Sequence, residues 1–176
     1  MFLPRSRSFP IGGPSVAAAF LLPHLLPHLL FLLSAPAAAQ QITIANTRSL
    51  DFGRFAAGRG GSVTVSPTGA RSGGGGVVLL NSPGAGAAVF SIGNGIGGIG
   101  GTVGQAVAIS LPPNGSIHLS SGANSMALGA FVSSSPLILT VPAGGLTLSV
   151  GATMTVAPNQ PRGNYSGTFP LIVDFQ

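Results

Sequence analysis

The chain is 176 residues long and carries a net charge of +5 from seven arginines and two aspartates, with no lysine, glutamate, cysteine or tryptophan. Without cysteine there is neither a disulfide framework nor a thiolate metal site, and without lysine there is no P-loop. The positive balance reflects a shortage of acids rather than a basic patch. After the first 39 residues, Arg48, Arg54, Arg59, Arg71 and Arg162 are spread without interleaved aromatics, so nucleic acid is not the expected partner and the arginines read as a solvated face.

The N-terminus predicts a secretory signal. Arg5 and Arg7 precede an apolar stretch from Val16 to Leu33, and Ala35-Pro36-Ala37-Ala38-Ala39 supplies the small residues of a cleavage site. Cleavage is expected between Ala39 and Gln40, dividing the chain into a signal peptide (1–39) and one domain (40–176) of 176 − 39 = 137 residues. The stretch of 18 residues is near the lower limit of a membrane span, which leaves a retained anchor as the alternative. Pro23, His24, Pro27 and His28 interrupt it, and the small-residue site follows directly, so removal is favoured and no retained transmembrane helix is expected. The expected location is the periplasm, the cell surface or the medium. A domain of this size can bury roughly two thirds of its unfolded surface, enough for one core without staples.

No segment of the domain keeps a helical period, whereas short apolar or alternating runs separated by Gly, Pro, Asn and Ser recur. The pattern predicts an all-β fold, a single immunoglobulin-like or pilin-like antiparallel β-sandwich. Expected strands are Gln41 to Ala45, Leu50 to Phe55, Ser62 to Ser66, Val77 to Asn81, Ala88 to Ile92, Ala106 to Leu111, Ser116 to Ser120, Met126 to Val132, Leu137 to Val141, Leu146 to Val150, Ala152 to Val156 and Tyr165 to Phe175. Pro112-Pro113-Asn114-Gly115 reads as a hairpin turn, because Asn-Gly adopts the positive φ angles of tight turns. Gly73 to Gly76 and Gly93 to Gly104 read as low-complexity segments between strands. Pro158 to Gly163 is a break before the last strand. In that strand Tyr165, Phe169, Leu171, Val173 and Phe175 share one face, expected to be inward.

The chemical motifs are thin. Gly93-Asn94-Gly95-Ile96-Gly97-Gly98 fits the string of a dinucleotide loop, but no helix pattern follows it. His118 is the only histidine after residue 39, and Asp51 and Asp174 are the only acids. These three make no persuasive catalytic set and no metal cage, so neither an enzyme nor a cofactor is expected. Alternation places His118 toward solvent. Asn114-Gly115-Ser116 and Asn164-Tyr165-Ser166 match the glycosylation string, which short sequences meet by chance.

Leu50-Asp51-Phe52-Gly53-Arg54-Phe55, Leu111-Pro112-Pro113-Asn114-Gly115 with Ser125-Met126, and Ala157-Pro158-Asn159-Gln160 leading into Gly163-Asn164-Tyr165-Ser166-Gly167 resemble, in that order, a family of small secreted bacterial proteins, domain of unknown function 4402. The terminal strand also looks like the end of a chaperone–usher pilin subunit. In such subunits a glycine fourteen positions from the end and a penultimate aromatic bracket the strand that a periplasmic chaperone recognises, and Gly163 and Phe175 stand at those positions. The disulfide common in those subunits is absent, and Gln41-Ile42-Thr43-Ile44 is a short donor segment. The resemblance implies a structural subunit of a cell-surface or fimbria-like assembly, with a periplasmic chaperone or like subunits as partners, bound by strand addition. The alternatives are a monomeric periplasmic or secreted binding module and a small outer-membrane barrel.

Overall fold

In the computed structural model the described residues are 42–94, 104, 106–142 and 144–176. The signal segment with Ala39 and Gln40, and most of the glycine stretch from Gly93, lie outside them. Ten strands follow in order: β1 Ile42–Arg48, β2 Phe55–Val65, β3 Arg71–Leu79, β4 Ala88–Asn94, β5 Ala106–Ser110, β6 Ile117–Ser121, β7 Asn124–Ser133, β8 Ile138–Thr140, β9 Leu146–Val156 and β10 Ile172–Phe175. All pairings are antiparallel.

The larger sheet is organised by β9. Its first half pairs with β4 from Leu146 to Val150, and its second half with β2 from Ala152 to Val156. On the opposite edge it takes β7, since Thr153 and Met154 pair with both β2 and β7. β1 extends the sheet beyond β4, β3 beyond β2, and β6 beyond β7. The smaller sheet has the order β10-β5-β8. Among the described residues neither sheet closes on itself, which is the topology of a sandwich and not of the outer-membrane barrel given above as an alternative.

Burial follows the two-residue period. Along β9 the even positions Leu148, Val150, Ala152, Met154 and Val156 are all buried, so one face of one strand supplies both parts of the core. The first cluster joins Val63, Val65, Met126, Leu128, Met154 and Val156 with Phe52. The second joins Phe90, Ile92, Leu148 and Val150 of the large sheet to Val107 and Ile109 of the small one. That second cluster is the layer between the two sheets and makes the fold a β-sandwich.

Several expectations are corrected. The segments Leu146–Val150 and Ala152–Val156 are one strand. Gly151 marks the point where β9 changes partner, and a Cβ there would run into the backbone of Val65 and Ser66, so the bare residue permits the close approach. Pro112–Gly115 does turn, with Gly115 at φ +74°, but β5 and β6 do not pair across it. It carries the chain from the small sheet to the large one. Consecutive strands do form hairpins at β2–β3, where Val65 pairs with Arg71, and at β6–β7, where Ser121 pairs with Asn124 around Gly122 at φ +58°. Of the strand expected over Leu50–Phe55 only Phe55 is in a strand, as the start of β2: Asp51 makes an isolated bridge to Gly86 and Gly53 takes φ +67°. Gly73–Gly76 is drawn into β3 by pairing with β2, which supplies the ladder partners that glycine's own propensity would not predict.

Candidate functional site

The final segment is the feature that sequence reasoning singled out, and its course explains what it can do. After β9 the chain turns with Gln160 N–H donating to the Ala157 carbonyl (3.2 Å) and Asn159 at φ +56°. The Tyr165 hydroxyl donates to the Pro161 carbonyl at 2.8 Å and accepts from the Gln160 amide at 2.9 Å, which draws the break from Pro158 to Gly163 into a closed loop. Gly163 passes beside Ser121. Ser166 then exchanges both backbone hydrogen bonds with Ser120 of β6, at 2.8 and 3.1 Å.

From Gly167 the segment leaves β6 and crosses to the other sheet. The Phe169 ring packs edge-on to Phe90 (centroids 6.0 Å) and tilted on Phe131 (5.2 Å). Leu171 and Val173 pack against the second core cluster. Only Ile172–Phe175 forms a ladder, pairing with Ser110–Val107 of β5, so the strand expected from Tyr165 shrinks to four residues. Pro170 contributes no N–H, and Ser166–Leu171 spans two sheets rather than lying in one.

The expected inward face is largely confirmed. Tyr165, Phe169, Leu171 and Val173 are half-buried while Thr168, Ile172 and Asp174 are exposed. Phe175 is the correction: it stands on the inward side opposite Val107, yet it is 39% exposed. It is the last residue of the short strand β10.

Beside this segment lies an apolar cleft of about 270 Å³. It is lined by Gly167, Thr168 and Phe169 of this segment together with Leu50, Phe52, Phe90, Ile117, Leu119 and Leu128. Asn46, Ser49 and Thr168 bring polar side chains to it, and among the described residues no ionisable side chain lines it. The cleft can take an apolar side chain, but it offers no acid, base or nucleophilic pair.

The remaining candidates are dispersed. His118 is exposed on β6 opposite Ala127. The Asp51 carboxylate accepts the Gly53 N–H at 2.7 Å and shapes its own turn, while Asp174 is exposed on β10. Among the described residues no group of histidine and carboxylate side chains is placed to hold a metal ion. Gly93 and Asn94, the start of the glycine string, end β4, and the rest of the string lies outside the described residues.

Sequence reasoning missed the role of two arginines. Arg48 donates to the carbonyls of Gly84 (3.0 Å) and Ala85 (3.1 Å), and Arg71 to those of Leu80 (3.2 Å) and Arg54 (3.0 Å). Together they clamp the Leu50–Arg54 segment to the loop after β3. No local signal announces this, because the carbonyl partners are remote or ordinary loop residues. The Asn114 side chain likewise accepts the Ala130 N–H at 2.6 Å, holding a β7 residue at φ +46° where the β7–β9 register slips.

These features define an antiparallel β-sandwich whose last strand is a short sheet edge reached by a crossing between sheets. The model of the family described as Domain of unknown function (DUF4402) matches residues 42–175, and the chain belongs to that family. No curated protein and no solved structure matches it.

Proposed function

We propose that residues 40–176 are an exported, non-catalytic structural protein, a pilin-like subunit of a cell-surface or fimbria-like assembly. The observation that carries this reading is the terminal edge. β10 pairs with β5, lies at the end of its sheet and carries Ile172, 50% exposed, and Phe175, 39% exposed. Sheet edges are normally guarded by lysine and other charges. This chain has no lysine or glutamate, and β10 bears one charge, Asp174. Among the described residues no strand pairs with the outer edge of β10, which therefore suits an added strand, whether from a periplasmic chaperone or a like subunit. Export is supported by Arg5, Arg7, the apolar stretch and the small residues ending at Ala39.

The test is sedimentation and electron microscopy of the 40–176 protein, purified alone and from its native cell surface. Assemblies of regular subunit spacing are expected. A strictly monomeric protein in both preparations overturns the reading.

A second reading, a monomeric periplasmic or secreted binding module, is favoured by one observation. The segment already closes its own sandwich, with Phe169 seated between Phe90 and Phe131. On that reading the monomer shows slow amide exchange at Asp174 and Gln176, whose N–H groups face β5, that of Gln176 donating to the Ala106 carbonyl at 3.0 Å, and never assembles.

A further inference from the structure

We propose that Thr168–Gln176 is an exchange element, which leaves its own small sheet and is replaced there by the same segment of a second copy of this chain. The inference deepens the assembly reading, on which it rests, by naming the partner and the strand that joins the copies.

Four observations converge. The segment has two separate attachments, the Ser166–Ser120 bridge and the four-residue ladder to β5, with no ladder between them. The first attachment precedes the exchanged part, so what has to open is the ladder to β5 and the apolar contacts of Phe169, Leu171 and Val173. The apolar side chains Phe169, Leu171 and Val173 are half-buried at the margin of the second cluster, rather than sealed inside it like Leu148 and Val150 at 0% exposure. Their departure does not require the two sheets to separate. The cleft beside Gly167, Thr168 and Phe169 gives the chain room to swing at the exposed Gly167–Thr168 junction. Finally, Pro170 biases Phe169 toward an extended backbone, which keeps the released segment in the strand-like form its site accepts.

The occupant follows from identity. The site beside β5 is already filled by this sequence, so a second copy reproduces each ring contact and ladder bond in the same register. Only the junction and the loss of translational freedom differ between the closed and exchanged forms, and concentration then sets their balance. A side-by-side pairing of two β10 edges would create a new contact; exchange creates none, and it leaves Asp174 in its present surroundings.

The absence of native cysteine makes the test direct. Ile172 and Ser110 are ladder partners on the exposed side of the small sheet. Paired antiparallel residues lie within the Cα separation that a disulfide spans. One batch of the 40–176 protein carries Ile172→Cys and another Ser110→Cys; they are mixed, refolded together at rising concentration and oxidised. Exchange predicts a disulfide-linked dimer whose yield rises with concentration, at least tenfold above that of Ile172→Cys mixed with Ser116→Cys. The double variant in one chain, oxidised when dilute, is expected to close within the monomer and reports that the site has folded. Equal yields in the two mixtures overturn the proposal, as does a mixture that gives no dimer while the double variant closes. A double variant that fails to close removes the β5–β10 register and the proposal with it. Regular assemblies without the register-specific link refute exchange and leave the assembly reading standing. Linked pairs that never grow larger support exchange and refute the fimbria-like reading.

Discussion

Replacing Phe169 by alanine probes the crossing between the two sheets. Removal of a fully buried Phe costs about 3–5 kcal/mol. Phe169 is half-buried and already borders the open cleft, so part of the space it vacates is continuous with existing solvent-accessible room. The transfer and cavity contributions are correspondingly reduced, to about 1–2 kcal/mol. Its ring contacts to Phe90 and Phe131 add about 0.5–1.5 kcal/mol beyond buried area. The expected loss is therefore about 1.5–3.5 kcal/mol, a sizeable part of the 5–15 kcal/mol typical of a domain. Urea unfolding followed by fluorescence of Tyr165 and by circular dichroism measures it as a fall in midpoint at unchanged slope. Two companions calibrate the result. Phe175→Ala, at the exposed end of the sheet, is expected to cost about 1 kcal/mol, and Thr168→Ala less than about 0.5 kcal/mol. A Phe169→Ala loss no larger than that of Thr168→Ala would refute the assignment of an inward face to the terminal segment.

Gly53→Ala is expected to destabilise by about 2–4 kcal/mol, because φ is +67° and the new methyl would meet the Ser82 and Ala85 side chains at 2.7 and 2.8 Å; the unfolding midpoint reads this. Asn114→Ala removes the bond to the Ala130 N–H and is expected to cost about 1 kcal/mol by the same measurement. His118→Ala, on an exposed strand position, is expected to leave stability within about 0.5 kcal/mol and, on the non-catalytic reading, to abolish no activity; a purified protein whose hydrolytic turnover disappears in this variant with its fold intact would sink that reading. Intact-mass analysis of exported protein is expected to find Gln40 at the N-terminus, and an uncleaved membrane-bound chain as the main product would overturn the export argument.

The alternation of side chains was enough to identify most strands, because a two-residue period survives whatever partner a strand finds. It also placed Tyr165, Phe169, Leu171 and Val173 on the buried side of the terminal segment, and Thr168 and Asp174 on the other. Partner choice was beyond its reach. Pro112–Gly115 has the chemistry of a hairpin turn, yet whether flanking strands pair depends on which sheet has an edge to offer. Gly151 resembles a break between strands, and only the approach of the Val65–Ser66 backbone shows it as the pivot of a continuous one. The glycines after Ser72 become part of β3 because β2 supplies hydrogen-bond partners remote in sequence. The arginines were legible as scarce charges, but their use as clamps on carbonyls depended on a loop folded back beside them. Phe175 has the right parity for the core and is still exposed, since parity assigns a face and only the extent of the neighbouring sheet decides whether that face is covered. Sequence alone thus determined the all-β class and the faces of its strands, which are local properties of the chain. The pairing order, the cleft and the crossing of the last segment were decided by tertiary structure, because each depends on hydrogen-bond partners and packing surfaces contributed from distant positions.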